Sequence, residues 1–119
     1  MTDYLLLYRH GEPAWHDRSP EQIREIMGQW NDWFKELEAG GYLRNPGAAL
    51  APDGAVLRKN GEGFATDATL SEVKELVGGY SVIAATSLDE ATRLAQGSPF
   101  LRNNPKGDIV VRPVLVMDG

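Results

Sequence analysis

The sequence contains no cysteine. That excludes disulfide staples, thiolate nucleophiles and cysteine-based zinc sites. It also lacks a basic cluster: 12 Lys and Arg stand against 17 Asp and Glu, a formal net charge of -5. Such a chain argues against nucleic acid or an anionic membrane surface as partner. No apolar run is long enough for a signal peptide or a membrane span, and Met1-Thr2-Asp3 carries no basic leader, so the cytoplasm is the expected location. There is neither a Gly-rich phosphate loop with its Lys nor a dinucleotide fingerprint, so no cofactor is implied. What is present is ordinary globular composition, 42% hydrophobic and 24% charged. A length of 119 residues predicts one domain, residues 1–119, with one core.

The chain opens on a short strand, residues 4–8, apolar at every position. A loop marked by Gly11 and Pro13 follows. Ser19-Pro20-Glu21-Gln22 reads as a helix start, with Ser19 as N-cap, Pro20 at the first helical position and Gln22 closing a capping box. Ile23, Ile26, Met27, Trp30, Trp33, Phe34 and Leu37 then recur at helical spacing, and Gly40-Gly41 stops the helix. Residues 46–54 read as loop. Asn60-Gly61, between apolar-containing segments 55–59 and 63–66, is a hairpin signal. Thr69-Leu70-Ser71-Glu72 opens a second, short helix through Val77, stopped by Gly78-Gly79. Residues 80–85 form a strand, and Ser87-Leu88-Asp89-Glu90 starts a third helix ending near Gly97. A loop with Pro99 and Pro105 leads to a last strand, about 108–117, in which Pro113 marks a bulge or an edge. Strands mixed with helices in this order predict an α+β domain with a ferredoxin-like antiparallel sheet.

The strands at 4–8, 80–85 and 109–116 do not alternate apolar with polar residues. They read as strands buried on both sides. Three helices on one face leave the other face to be covered, either by the same face of a second subunit or by the loops 42–54 and 98–107. Those loops are polar and rich in Pro and Gly, so the homodimer is the expected arrangement.

Arg9-His10-Gly11, straight after a hydrophobic strand, raises the question of a phosphohistidine nucleophile. That chemistry needs a distant second histidine and an acid for the leaving group. The only other histidine is His16, in the same loop, so this is not a histidine phosphatase. Nor do His10, His16, Glu12 and Asp17 match a metal-ligand spacing, and no metal is expected. His10 retains a different claim. It sits just past a strand end, where site residues often gather. Asp67 ends the hairpin, and if the two strand ends converge it could orient the imidazole for acid/base work. A solvated His10 and a turn-forming or helix-capping Asp67 are the plain alternatives. Trp30, Phe34 and Leu37 share helical spacing and read as core, whereas Trp15 and Trp33 read as walls of a ligand cleft. Arg9, Lys74 and Arg112 are candidates to meet an anionic group.

Residues 66–80, Thr-Asp-Ala-Thr-Leu-Ser-Glu-Val-Lys-Glu-Leu-Val-Gly-Gly-Tyr, resemble the YCII-related proteins, in particular their DGPF-domain branch. Asp67, Glu72, Lys74, Glu75, Gly78, Gly79 and Tyr80 fall on that branch's pattern in register. Val111-Arg112-Pro113-Val114 and the N-terminal strand match as well. The signature tetrapeptide here is Asp67-Ala68-Thr69-Leu70, keeping only the acid. The resemblance implies a ferredoxin-like subunit pairing into a dimeric α+β barrel, with Tyr80 counted among the ligand-binding positions. In some members a His/Asp pair is assigned an enzymatic role, and some relatives are associated with extracytoplasmic-function sigma factors.

Two functional classes follow. In the first, the protein binds a small molecule in a cleft between sheet and helices and uses His10 and Asp67 as an acid/base pair. In the second, it is a non-catalytic dimeric interaction or regulatory module.

Overall fold

The computed structural model describes residues 1–11, 18–66 and 77–117. Its elements are β1 (Thr2–Arg9), α1 (Pro20–Ala39), β2 (Leu43–Ala49), β3 (Leu57–Asn60), β4 (Gly63–Thr66), β5 (Val77–Ala85), α2 (Leu88–Gln96), α3 (Pro99–Asn103) and β6 (Asp108–Pro113). Strands β2-β5-β1-β6, in that order, form a four-stranded sheet, antiparallel throughout. This is the ferredoxin-like arrangement the sequence predicts, with the β3–β4 hairpin inserted between β2 and β5 as a separate two-stranded sheet.

Local chemistry explains the helix starts. Ser19 Oγ accepts from the Gln22 backbone N–H at 3.1 Å, and Gln22 Oε1 accepts from the Ser19 N–H at 2.9 Å, a complete capping box. Ser87 caps α2 by accepting from the Glu90 N–H, but the Glu90 carboxylate reaches past the cap residue to the Thr86 N–H. The short helix expected from Thr69 lies outside the described residues.

Register divides the sheet into two faces. Tyr4, Leu6 and Tyr8 of β1 are buried beneath the helices, together with Ser81, Ile83 and Ala85 of β5. Helix α1 closes this core with Ile26, Trp33 and Leu37, and α2 with Ala91 and Ala95. On the opposite face Leu5 pairs with Val82 and Arg112, and Leu7 with Tyr80 and Val110. Leu5, Leu7, Tyr80, Val82 and Val110 are only half-buried there. The Cα trace is 19 Å across its shortest dimension, the thickness of one helix layer on one sheet.

Four sequence expectations are corrected. Residues 43–49, expected within a polar loop, form edge strand β2. Pro46 is tolerated because the strand is an edge and its register slips twice, between Leu43 and Asn45 and between Asn45 and Ala48. Gly47 makes that path possible: its φ is +77°, and a Cβ there would collide with the Tyr80 carbonyl. Second, β5 begins at Val77, so Gly78-Gly79 belongs to a strand rather than stopping a helix. Third, Pro99–Asn103 is a helical turn capped by Ser98, and β6 ends at Pro113. The hairpin turn also falls one residue later than expected, with Asn60 paired to Gly63 and Gly61 at φ +62°.

Candidate functional site

Helix α1 carries two apolar stripes. Trp33 and Leu37 face the core, and buried Ile26 lies at the boundary between the stripes. Ile23, Met27, Trp30 and Phe34 line a cavity of about 780 Å³ between the helix and the β2–β5 edge of the sheet. This volume lies within the range of drug-sized ligand sites. The facing wall is main chain and small side chains, from Pro46 to Ala49 on β2 and from Val77 to Gly79 on β5. Gly79 lets β2 approach β5 closely here, because a Cβ would lie only 3.0 Å from the Ala48 carbonyl.

The deep side of the cavity is aromatic. Tyr8 meets Trp30 edge-on at 5.3 Å between ring centroids and Phe100 at 5.1 Å; Phe34 lies 5.6 Å from Trp30. Behind these rings Trp33 packs against Trp30 and Phe34 within the core. The Tyr8 hydroxyl donates to Ser81 Oγ at 2.8 Å, and Ser81 Oγ donates to the Pro46 carbonyl at 2.7 Å. The relay ties β1 through β5 to β2. Burial pushes the Tyr8 phenol up to about 12, against the smaller opposing effect of its hydrogen bonds to Ser81 and Ser98, so it stays protonated at neutral pH.

His10 stands at the mouth, with Gly11, Arg18, Asn103 and Asn104. Its φ of 58° makes it the only non-glycine in the left-handed region among the described residues. It follows the point where the β1–β5 register shifts, between Tyr8 and Arg9. The backbone thus turns out of the strand at a sparsely populated conformation, which is found disproportionately at functional sites. The Asn103 amide donates to Gln29 Oε1 and to the Pro99 carbonyl, both at 2.9 Å, which fixes this side of the mouth.

The model for the YCII-related domain matches residues 2–118. The chain belongs to the YCII-related family. No curated protein matches it. In this YCII-family chain the cavity gathers only part of the site read from the sequence. His10 lines it, and Tyr80 borders it from β5, although the register places Tyr80 opposite Leu7, on the other face from Tyr8. Asp67, Trp15 and Lys74 lie outside the described residues, as do His16, Glu12 and Asp17.

Three candidates are placed elsewhere. Trp33 is 5% exposed and belongs to the core, whereas Trp30 and Phe34, expected in the core, pack against it half-buried and also line the cavity. The helical spacing was right, but a stripe this broad has two edges, and spacing alone does not say which edge faces the sheet. Arg9 is held by Asp108 in a two-pronged pair, Nε to Oδ1 at 2.9 Å and Nη2 to Oδ2 at 3.0 Å. That hydrogen bond holds the Asp108 carboxyl below its ordinary range, with a further, smaller lowering from the charge of His10. Asp108 is therefore a described acid that feels the imidazole. Arg112 pairs with Leu5 on the outer face and is exposed, away from the cavity. Among the described residues no group of three or more His, Asp or Glu is placed to hold a metal ion, and no helix is long and apolar enough to cross a membrane.

The residues that sequence reading missed are Tyr8, Ser81 and Phe100. Tyr8 sits inside an all-apolar run, Ser81 inside a strand, and Phe100 in a segment read as loop. A serine amid Val, Ile and Ala was the available signal, since a buried hydroxyl needs partners.

Proposed function

We propose that this YCII-family protein binds a small molecule in the cavity beneath α1 and uses His10 as the acid or base at its mouth. The observation that carries the reading is the left-handed backbone of His10 beside an aromatic-lined cavity. Histidine is the usual choice for proton transfer near neutral pH. Asp67 is the proposed partner on sequence grounds, and with Glu72, Lys74, Glu75, Gly78, Gly79 and Tyr80 it supports placing the chain in the DGPF branch.

The test compares wild type with His10→Asn and Asp67→Asn. Both variants should keep the wild-type circular dichroism spectrum and the enhanced fluorescence of bound anilinonaphthalene sulfonate. Turnover of any substrate found by screening should fall at least about 100-fold in each, the usual worth of a general acid or base. Unchanged turnover in His10→Asn would remove it from the chemistry.

The reading includes a homodimer formed through the outer face of the sheet. Its support is the half-buried patch of Leu5, Leu7, Tyr80, Val82 and Val110, and the exposed tail, where Leu115, Val116 and Met117 are 78–80% accessible. The same surface favours the second reading, a regulatory module acting through that face. Light scattering at micromolar concentration decides the assembly: a dimer mass supports the pairing, and a stable monomer refutes it.

A further inference from the structure

The cavity owes its shape to one row of the sheet. On the helix face, the register across β1, β5 and β2 lines up Tyr4, Ile83 and Leu43 in one row and Tyr8, Gly79 and Ala49 in another. The first row is filled: Ile83 is fully buried and Leu43 packs against the core. The second carries a large side chain only on β1. Gly79 adds no side chain and Ala49 a single methyl, so the floor of the cavity over β5 and β2 is little more than main chain. A glycine inside a strand marks a place where another group comes close to the backbone. Here β2 comes close from the side, and the face of the same row borders the cavity.

The opposite wall, on α1, is of the contrary kind, built from the large side chains of Met27, Trp30 and Phe34. Met27 is 57% exposed although it lines the cavity, and its unbranched thioether can settle on a surface that binds there. At the inner end the rings of Tyr8 and Phe100 close the space, 5.1 Å apart. The hydroxyls on that side are already paired, Tyr8 to Ser81 and Ser81 to the Pro46 carbonyl. An inserted group therefore meets ring edges there, which favour another aromatic ring. A broad wall facing a floor without side chains makes a slot, and a slot selects for thinness.

We propose that the ligand inserts a flat, unsaturated ring system that lies on the Gly79–Ala49 row, with Met27 and Trp30 against its other side. Its apolar edge points towards Tyr8 and Phe100. The proposal rests on the cavity-binding reading above and adds the class of group that enters. A cavity of about 780 Å³ has room for a fused pair of rings.

Two alcohols of one skeleton test it: naphthol, which is planar, and its fully saturated and puckered counterpart decalol, titrated by calorimetry into the full chain at neutral pH. Decalol is no less apolar, so transfer out of water alone does not favour naphthol. Naphthol should bind about three- to tenfold more tightly, the worth of one good aromatic pair. In Trp30→Leu this ratio should collapse towards one while the affinity for decalol holds. Ala49→Leu, on an edge strand, puts a side chain on the floor and should weaken naphthol at least about tenfold with the circular dichroism spectrum unchanged. Equal binding of the two alcohols, or a preference for decalol, overturns the ring class and leaves the cavity reading standing. No binding by either overturns both. A ratio that survives Trp30→Leu, or naphthol binding indifferent to Ala49→Leu, overturns the assigned position of the ring.

Discussion

The two faces of the sheet are built from the same strands and behave differently. Along β1, Leu6 is fully buried under the helices, while its neighbours Leu5 and Leu7 are half-buried on the other side. Residues of one type, adjacent in sequence, thus live in two environments. The helix face is a finished core that also forms the floor of the cavity. The outer face, with Leu5, Leu7, Tyr80, Val82 and Val110, is apolar too but only half-buried among the described residues. Of the loop segments read as candidates to cover it, residues 43–49 pair as an edge strand and Phe100 of α3 packs against the core. The lesson is that composition reports how apolar a strand is, while the number of layers determines what that apolarity is for.

The sharpest way to break this comparison is to truncate one leucine on each face. Leu6→Ala should cost about 2–5 kcal/mol by urea denaturation, because a fully buried leucine leaves a cavity. Leu7→Ala should cost less than half as much in dilute solution, and its effect should grow with protein concentration. Equal losses at every concentration would mean the outer face does not associate.

The next effect separates the faces by pH. Folded Tyr8 holds its proton to about 12, whereas an unfolded tyrosine releases it near the ordinary value of 10. Its contribution is therefore complete below pH 10 and is lost as pH rises towards 12, roughly 2–3 kcal/mol in all. Alkaline denaturation curves should show this limb, and Tyr8→Phe should flatten it.

A smaller effect, with opposite sign, belongs to the mouth. His10→Gly should raise stability by about 1 kcal/mol, since glycine occupies a left-handed φ without strain. A loss in thermal denaturation would mean that contacts of the imidazole outweigh its backbone strain. The least effect lies on the outer face. The depressed Asp108 carboxyl contributes above the ordinary carboxylate range, and that contribution fades as pH falls through its folded value. Asp108→Asn should make the acid limb slightly shallower, because the pair is solvated.

Much of this fold was legible because its signals are local. The Ser19 and Ser87 caps and the Gly-containing hairpin announce themselves within four residues. Strand β2 was not legible, since Pro46 and Gly47 are loop residues by every local rule, and only pairing with β5 overrides them. The site divides in the same way. His10 stood out by residue type and position, whereas the placing of Trp33 in the core and of Trp30 and Phe34 between core and cavity turns on the rotation of α1 about its axis. That rotation is decided by packing and not by periodicity.

Among the described residues the β3–β4 hairpin pairs only with itself. Its tip, Asn60-Gly61-Glu62, is exposed and is not paired to the four-stranded sheet. An affinity tag or a small fluorescent peptide spliced between Gly61 and Glu62 would consequently leave the pairing of the four-stranded sheet untouched. Such a reporter could follow assembly and ligand uptake in one molecule, with the termini, the cavity mouth and the outer patch all left as they are.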